Sequence, residues 1–138
     1  HTLNEAAKTH EAVILLVEDN PVNQRVALGL LKLCGYEADV AENGVEALEA
    51  IENRDYDLVL MDCQMPKMDG YSATIEIRER EKRRQLKRVP VIALTAGVLQ
   101  EDQERCQVSG MDDHLAKPLR KKSLIDVLTQ WLPTDKRQ

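Results

Sequence analysis

Three uninterrupted apolar runs mark the chain: Val13-Ile14-Leu15-Leu16-Val17, Leu58-Val59-Leu60-Met61 and Pro90-Val91-Ile92-Ala93-Leu94. Runs of this length, rich in Leu and β-branched residues and without polar alternation, fit parallel strands covered on both faces. Two weaker strands are expected at 37–41 and 113–116, nearer the sheet edges. Between these segments the hydrophobic period becomes helical. Asn20-Pro21 offers an N-cap followed by proline in the first turn, and Gly35 a left-handed stop for the same helix. Residues 43–51 put Val45, Leu48 and Ile51 on one face, and a third helix runs from Tyr71 into the charged stretch 78–84. A fourth is expected over 97–108. A fifth, over 123–132, carries Leu124, Val127, Leu128, Trp131 and Leu132 as an apolar stripe. Five strands alternating with five helices imply an α/β domain, a parallel sheet with right-handed crossovers and helices on both faces.

A chain of 138 residues has room for one such domain. Residues 1–12 read as a polar lead-in or linker, 13–132 as the domain and 133–138 as a short tail. The chain opens on His and not Met, as expected for a processed protein or a piece of a longer one. A net charge of -5 supplies no overall basic field for nucleic acid or an anionic membrane, and no apolar run is long enough for a membrane span. The local basic run Lys82-Arg83-Arg84 with Lys87-Arg88 lacks interleaved aromatics and reads as a solvated helix end. Cys34, Cys63 and Cys106 are odd in number and contain no Cys-x-x-Cys pair, which favours a reducing, cytoplasmic setting over disulfides or zinc.

In an open parallel sheet, ligands bind at the carboxyl ends of the strands. There Val17 runs into Glu18-Asp19, Met61 into Asp62, Leu94 into Thr95 and the last strand into Lys117-Pro118. Each residue alone has a plainer explanation, such as a helix cap for Thr95 or a solvated loop for Glu18-Asp19. Together their chemistry is complementary. Three carboxylates, Glu18, Asp19 and Asp62, repel one another unless a cation joins them, and a hard ion with oxygen ligands such as Mg²⁺ suits them. Phosphoryl transfer requires a nucleophile surrounded by positive charge and hydrogen-bond donors. Asp62 is then the candidate nucleophile, Mg²⁺ and Lys117 the charge stabilisers, and Thr95 a hydroxyl donor to a phosphate oxygen. Backbone N–H groups just after Asp62 and Thr95 add donors, with the small Ala96 leaving the approach open.

Val17-Glu18-Asp19-Asn20, Met61-Asp62 with Met65-Pro66-Lys67-Met68-Asp69-Gly70, Thr95-Ala96 and Lys117-Pro118 resemble the signatures of two-component response regulator receiver domains. The resemblance runs from about Val13 to Leu132. It implies the flavodoxin-like strand order 2-1-3-4-5. It also implies that Asp62 is the phosphoacceptor, forming a 4-aspartylphosphate, with Thr95 and Lys117 assisting. Asp19 and Asp62 would bind Mg²⁺ directly, Glu18 through a water, and the Gln64 main-chain carbonyl would complete the protein ligands. A cis peptide before Pro118 is implied as well. The expected partner is a histidine kinase or histidine phosphotransfer domain. The domain would catalyse its own phosphorylation and dephosphorylation.

The runs Glu18 to Gln24 and Met61 to Pro66 look most like receivers attached to hybrid sensor histidine kinases. A stand-alone single-domain regulator is the alternative, to be separated by the sequence upstream of His1. An aspartyl-phosphate phosphatase fits less well, because such enzymes place the nucleophile after the first strand with a second Asp two residues on. The family's switch residue, three positions before the lysine, is usually Tyr or Phe; here it is His114, smaller and ionisable. Switching through Thr95 and His114 is expected in kind. Two further expectations concern the helices. The first has more apolar residues than a core needs, leaving a patch for the helix bearing the donor histidine. The fourth, all polar from Gln100 to Glu104, is expected to be weakly held and to move on phosphorylation.

Overall fold

The computed structural model describes residues 12–65, 67–96 and 100–132. The lead-in and tail, Pro66, and the expected start of the fourth helix at 97–99 lie outside the described residues. In chain order the elements are β1 (Ile14–Val17), α1 (Pro21–Leu33), β2 (Ala38–Ala41), α2 (Gly44–Asn53) and β3 (Leu58–Asp62). They continue as α3 (Gly70–Arg84), β4 (Val91–Thr95), α4 (Gln100–Ser109), β5 (Asp113–Ala116) and α5 (Lys121–Trp131). The strands form one parallel sheet in the order β2-β1-β3-β4-β5. This is the flavodoxin-like arrangement. Among the described residues, no helix is long and apolar enough to cross a membrane.

The continuous apolar runs serve two cores at once. Successive side chains of a strand point to opposite faces. Leu15, Val17, Val59, Met61, Val91 and Ala93 therefore pack with Ala47 of α2, Ile77 of α3 and Cys106 of α4. Ile14, Leu16, Leu58, Leu60, Ile92 and Leu94 pack on the other side with Ala27 and Leu31 of α1 and Leu124 and Leu128 of α5. A strand buried on both faces has no polar positions until its end, so β1, β3 and β4 aim their first charged or hydroxyl groups at one rim.

Local chemistry sets the helix boundaries. The Asn20 side chain accepts from the N–H groups of Val22 and Asn23, and Pro21 begins α1. That helix closes with Gly35 at φ 91°, where the Tyr36 N–H reaches the Leu31 carbonyl at 2.8 Å, a glycine-terminated Schellman closure. Asn43 caps α2 through Glu46 N–H, and Asp69 caps α3 through Ser72 N–H. The expected bounds shift by small amounts. β3 and β4 each run one residue further, so Asp62 pairs with Leu94 and Thr95 with Ala116 inside the ladder. Pro90 stays outside β4, since it has no N–H to give the ladder, although its carbonyl accepts the Val59 N–H. α5 starts two residues before the expected 123, with no side-chain cap at Arg120.

The second half of α3 is fastened to β4 and the approach to β5 at the opposite end of the sheet. Arg78, nearly buried, pairs with Glu81 at 2.9 Å and Asp112 at 2.8 Å, and donates to the Val89 and Gly110 carbonyls. Glu81 and Asp112 in turn accept the Val89 and Val91 N–H groups. With α3 fixed there, its amino end is positioned beside Asp62. Gly70 shows how closely: a Cβ at that position would overlap the Asp62 carbonyl oxygen.

Candidate functional site

Glu18, Asp62, Thr95 and Lys117 converge at the carboxyl end of the sheet around a cavity of about 220 Å³. Glu18 and Asp62 are buried, at 1% and 4% exposure, while Asp19 on the next position is exposed. Glu18, Asp19 and Asp62 each bring a carboxylate oxygen within 4.8 Å of the others. The Lys117 ammonium bridges the buried two, 3.0 Å from Glu18 Oε1 and 3.1 Å from Asp62 Oδ1. The strand order explains the meeting: β3 lies between β1 and β4, so acids ending β1 and β3 are neighbours across one ladder.

Both oxygens of Glu18 are engaged, Oε1 by Lys117 and Oε2 by the Asn20 N–H at 3.1 Å, while Gln24 Nε2 donates to its carbonyl. Burial alone would raise its pKa, but hydrogen bonds from Lys117 and Asn20 outweigh that and hold Glu18 below its ordinary range. Asp62 goes the other way. Burial dominates, the adjacent Glu18 charge adds to it, and the Gln64 N–H and Lys117 only partly offset them, leaving the carboxyl pushed up to about 6. Burial would depress Lys117, yet hydrogen bonding to Glu18 and the charge of Asp62 keep it above its usual value, so it remains an ammonium. One cation thus serves two carboxylates whose acidities are displaced in opposite directions.

Of the two backbone donors expected, one after Asp62 and one after Thr95, the first has another use. The Cys63 N–H bonds the Leu94 carbonyl at 3.3 Å, extending the ladder. The Gln64 N–H instead meets Asp62 Oδ1 at 3.2 Å, with the Gln64 side chain exposed. Thr95 lies across the cavity, 5% exposed, and its Oγ1 has no hydrogen-bond partner among the described residues. A buried hydroxyl without a partner is unusual and points to a ligand-binding role. Lys117-Pro118 is a cis peptide, and the Lys117 N–H bonds the Thr95 carbonyl at 2.7 Å.

His114 shares a sheet face with Thr95, two positions back along β5, but is not among the described residues lining the cavity. Its side chain is 36% exposed, and Nδ1 lies 3.9 Å from Asp113 Oδ1. Asp113 in turn receives the Trp131 indole N–H at 2.9 Å, tying α5 to β5. Two lining residues escaped the reading of the chain. Asn23 sits one turn into α1, and Tyr71 forms part of the wall at the start of α3. The available signal was position: both fall in the first turn of a helix leaving a charged strand end. Cys63 also lines the cavity, its thiol buried and pushed up to about 12 chiefly by desolvation, as suits a packing residue.

Three hard carboxylates, one ammonium and a hydroxyl with no partner among the described residues line the cavity. This set fits a divalent cation such as Mg²⁺ together with a tetrahedral anion. The sequence pattern of the response regulator receiver domain matches residues 14–129. Hybrid signal transduction histidine kinase B of Dictyostelium discoideum is 46% identical, over 86% of this chain but 6% of its own length. The sensor protein GacS of Pseudomonas syringae pv. syringae is 41% identical, over 86% of this chain and 13% of its own. The chain therefore spans a small part of these curated relatives. Among solved structures, the receiver domain of sensor histidine kinase PA1611 from Pseudomonas aeruginosa PAO1 holds a magnesium ion in its active-site cleft. It matches with a TM-score of 0.78 at 49% identity, covering 87% of this chain and 96% of that one. The co-crystal structure of the Saccharomyces cerevisiae histidine phosphotransfer protein Ypd1 with the receiver domain of its downstream response regulator Ssk1 matches with a TM-score of 0.85. Identity there is 29%, over 94% of this chain and 97% of that one.

Proposed function

The chain belongs to the response regulator receiver domain family, and from that premise we propose that Asp62 accepts a phosphoryl group from a phosphohistidine. The observation that carries this is the Asp62 carboxylate itself, buried yet facing a polar cavity, with the Lys117 ammonium 3.1 Å away and the Thr95 hydroxyl, which has no partner among the described residues, in the same lining. An Asp62 carboxylate oxygen attacks phosphorus in line. The P–O bond forms as the P–N bond breaks, and the electron pair of the broken bond returns to the imidazole nitrogen. Lys117 and the Thr95 hydroxyl each neutralise or donate to phosphoryl oxygens as charge builds.

Asp19 and Asp62 are proposed as direct Mg²⁺ ligands, with the Gln64 carbonyl, and Glu18 as an outer partner. The engagement of both Glu18 oxygens by Lys117 and Asn20 supports the outer role. Bound Mg²⁺ supplies positive charge to the carboxylates and the phosphoryl oxygens. Onward transfer or hydrolysis then empties Asp62, both catalysed by the domain itself.

We assign the donor to a histidine kinase or histidine phosphotransfer domain and place the receiver within a hybrid sensor histidine kinase. Hybrid kinases among the relatives support this. For docking, α1 exposes Val22 at 58%, Val26 at 46% and Leu33 at 70%, an apolar stripe in which Val26 shares a hollow with Lys117 and Pro118. That Cys34, Cys63 and Cys106 form no disulfide agrees with a cytoplasmic setting, and no nucleic-acid or membrane contact is assigned to the domain. The test is incubation with a small phosphodonor and Mg²⁺, read by intact mass. Wild type should gain one phosphoryl group and Asp62→Asn none. No Mg²⁺-dependent gain in wild type, or an equal gain in Asp62→Asn, sinks the assignment.

A further inference from the structure

Little of α4 is buried. Of its described side chains Cys106 and Ser109 are covered, Val108 is 87% exposed, and the Ser109 hydroxyl bonds the Cys106 carbonyl of the same helix. Its attachment runs sideways, to the start of α3. The Arg105 guanidinium stands 4.1 Å from the centre of the Tyr71 ring and 3.9 Å from an Asp69 carboxylate oxygen. The next residue, Cys106, is buried beside Cys63, whose thiol also interacts with the Tyr71 side chain. The same Tyr71 ring is 6% exposed and lines the Asp62 cavity together with Thr95. One aromatic side chain therefore touches both the acceptor cavity and the support of α4. His114 has no comparable position: it is half-exposed and absent from the described cavity lining.

We propose that Tyr71 and Arg105 carry the state of Asp62 to α4, Tyr71 as the wall that meets the phosphoryl group and Arg105 as the charge that reports it. The inference rests on Asp62 being the phosphoacceptor. A phosphoryl group entering a cavity of about 220 Å³ fills space against the Tyr71 ring and adds negative charge next to it. Arg105 is the only basic residue between 100 and 109, where Glu101, Asp102 and Glu104 are acidic. New negative charge thus attracts one side chain of α4 and repels its neighbours, and a guanidinium 3.9 Å from Asp69 is loosely enough held to respond. The helix changes its fit because ring and cation are displaced together. An aromatic relay of this kind sits at the head of α3 and does not require one on β5.

The experiment compares amide exchange in α4, with and without beryllium fluoride plus Mg²⁺ as a phosphoryl mimic, in wild type, Arg105→Ala, Tyr71→Phe, Tyr71→Leu and His114→Ala. Phosphodonor uptake by intact mass is measured on each. Arg105 is 64% exposed on its side chain and belongs to neither core, so its removal is expected to leave the sheet folded, which a thermal melt of the variant checks. The expected result is wild-type phosphoryl uptake in Arg105→Ala with an α4 response reduced roughly fivefold or more. Tyr71→Phe, which keeps the ring, and His114→Ala should respond as wild type, and Tyr71→Leu should not. A wild-type α4 response in Arg105→Ala, or its loss in His114→Ala, overturns the proposal while leaving the acceptor role of Asp62 standing. So does an α4 that fails to respond in the wild-type protein. Absence of phosphoryl uptake by wild type overturns the receiver assignment, and this inference with it.

Discussion

Lys117 Nζ lies 3.1 Å from Asp62 Oδ1 and is shared with Glu18 at 3.0 Å, so a single ammonium holds two buried carboxylates together. Removing it leaves a buried charge without its partner, which is costlier than never having had the pair. Lys117→Met should lower the stability of the metal-free protein by roughly 1–3 kcal/mol in urea melts. Added Mg²⁺ should recover much of that loss, since it supplies cationic charge to the same carboxylates. Phosphoryl uptake should fall even where folding is restored. Equal melts for the variant and wild type without metal would show that the ammonium does not hold the pair.

The raised Asp62 carboxyl gives a pH dependence of definite sign. With an ordinary value of 3.8 and a folded value of about 6, the native state holds this proton more tightly than the unfolded chain. The corresponding stability is fully present below pH 3.8 and is lost as pH rises through 6. Asp62→Asn cannot lose it. Without metal, the variant should therefore gain on wild type between pH 4 and 7, by roughly 3 kcal/mol at the upper end. Glu18 works in the opposite direction, its contribution being lost as pH falls, but it is present in both proteins. Mg²⁺ should narrow the gap above pH 6. Denaturant titrations at several pH values, with and without the metal, decide the matter, and a pH-independent difference is the adverse result.

Thr95 offers a case where activity and stability separate. Its Oγ1 is buried with no partner among the described residues, so Val at this position removes no observed hydrogen bond and fills similar space. Thr95→Val should be as stable as wild type or more stable by about 1 kcal/mol, while the rate of phosphoryl uptake and the phosphorylation-linked response both fall. Thermal melts alongside timed mass spectrometry test both halves. A clear loss of stability would mean the hydroxyl has a structural bond.

Gly70 tests the closeness of α3 to the acceptor strand. A methyl there overlaps the Asp62 carbonyl oxygen and also crowds Met61 Cγ, at 2.9 Å. Gly70→Ala should cost about 1–3 kcal/mol, as overpacking of a filled site does. It should also slow phosphorylation by displacing the strand end that presents Asp62. Retention of both wild-type stability and wild-type rate would contradict this packing.

Much of the fold was legible because it rests on local pattern. The doubly buried strands had to be continuous apolar runs, and Asn20, Gly35 and the α5 stripe announced their elements through caps and periodicity. Asp62, Thr95 and Glu18 were visible for a related reason: a strand buried on both faces carries its first polar residue where it reaches the rim, whereas Lys117 follows the edge strand β5, which is polar from its start. The resemblance to receiver domains added strand order and the cis bond before Pro118, neither of which follows from periodicity.

Other features depend on which segments meet in space. No pattern within the chain shows that Arg105 lies over Tyr71, or that the Tyr71 ring walls the cavity, since these residues belong to helices joined only through the order of β3, β4 and β5. The opposite displacements of Glu18 and Asp62 have the same origin. As isolated residues the two are near equals; burial, a shared ammonium and the Asn20 and Gln64 amides separate them. Residue type and order thus settled which chemistry could collect at the sheet's rim, because periodicity and capping are properties of neighbours along the chain. Which acid is held low, which is raised, and which aromatic ring stands beside them was left to packing, because desolvation and Coulomb interactions depend on distances between segments far apart in the chain.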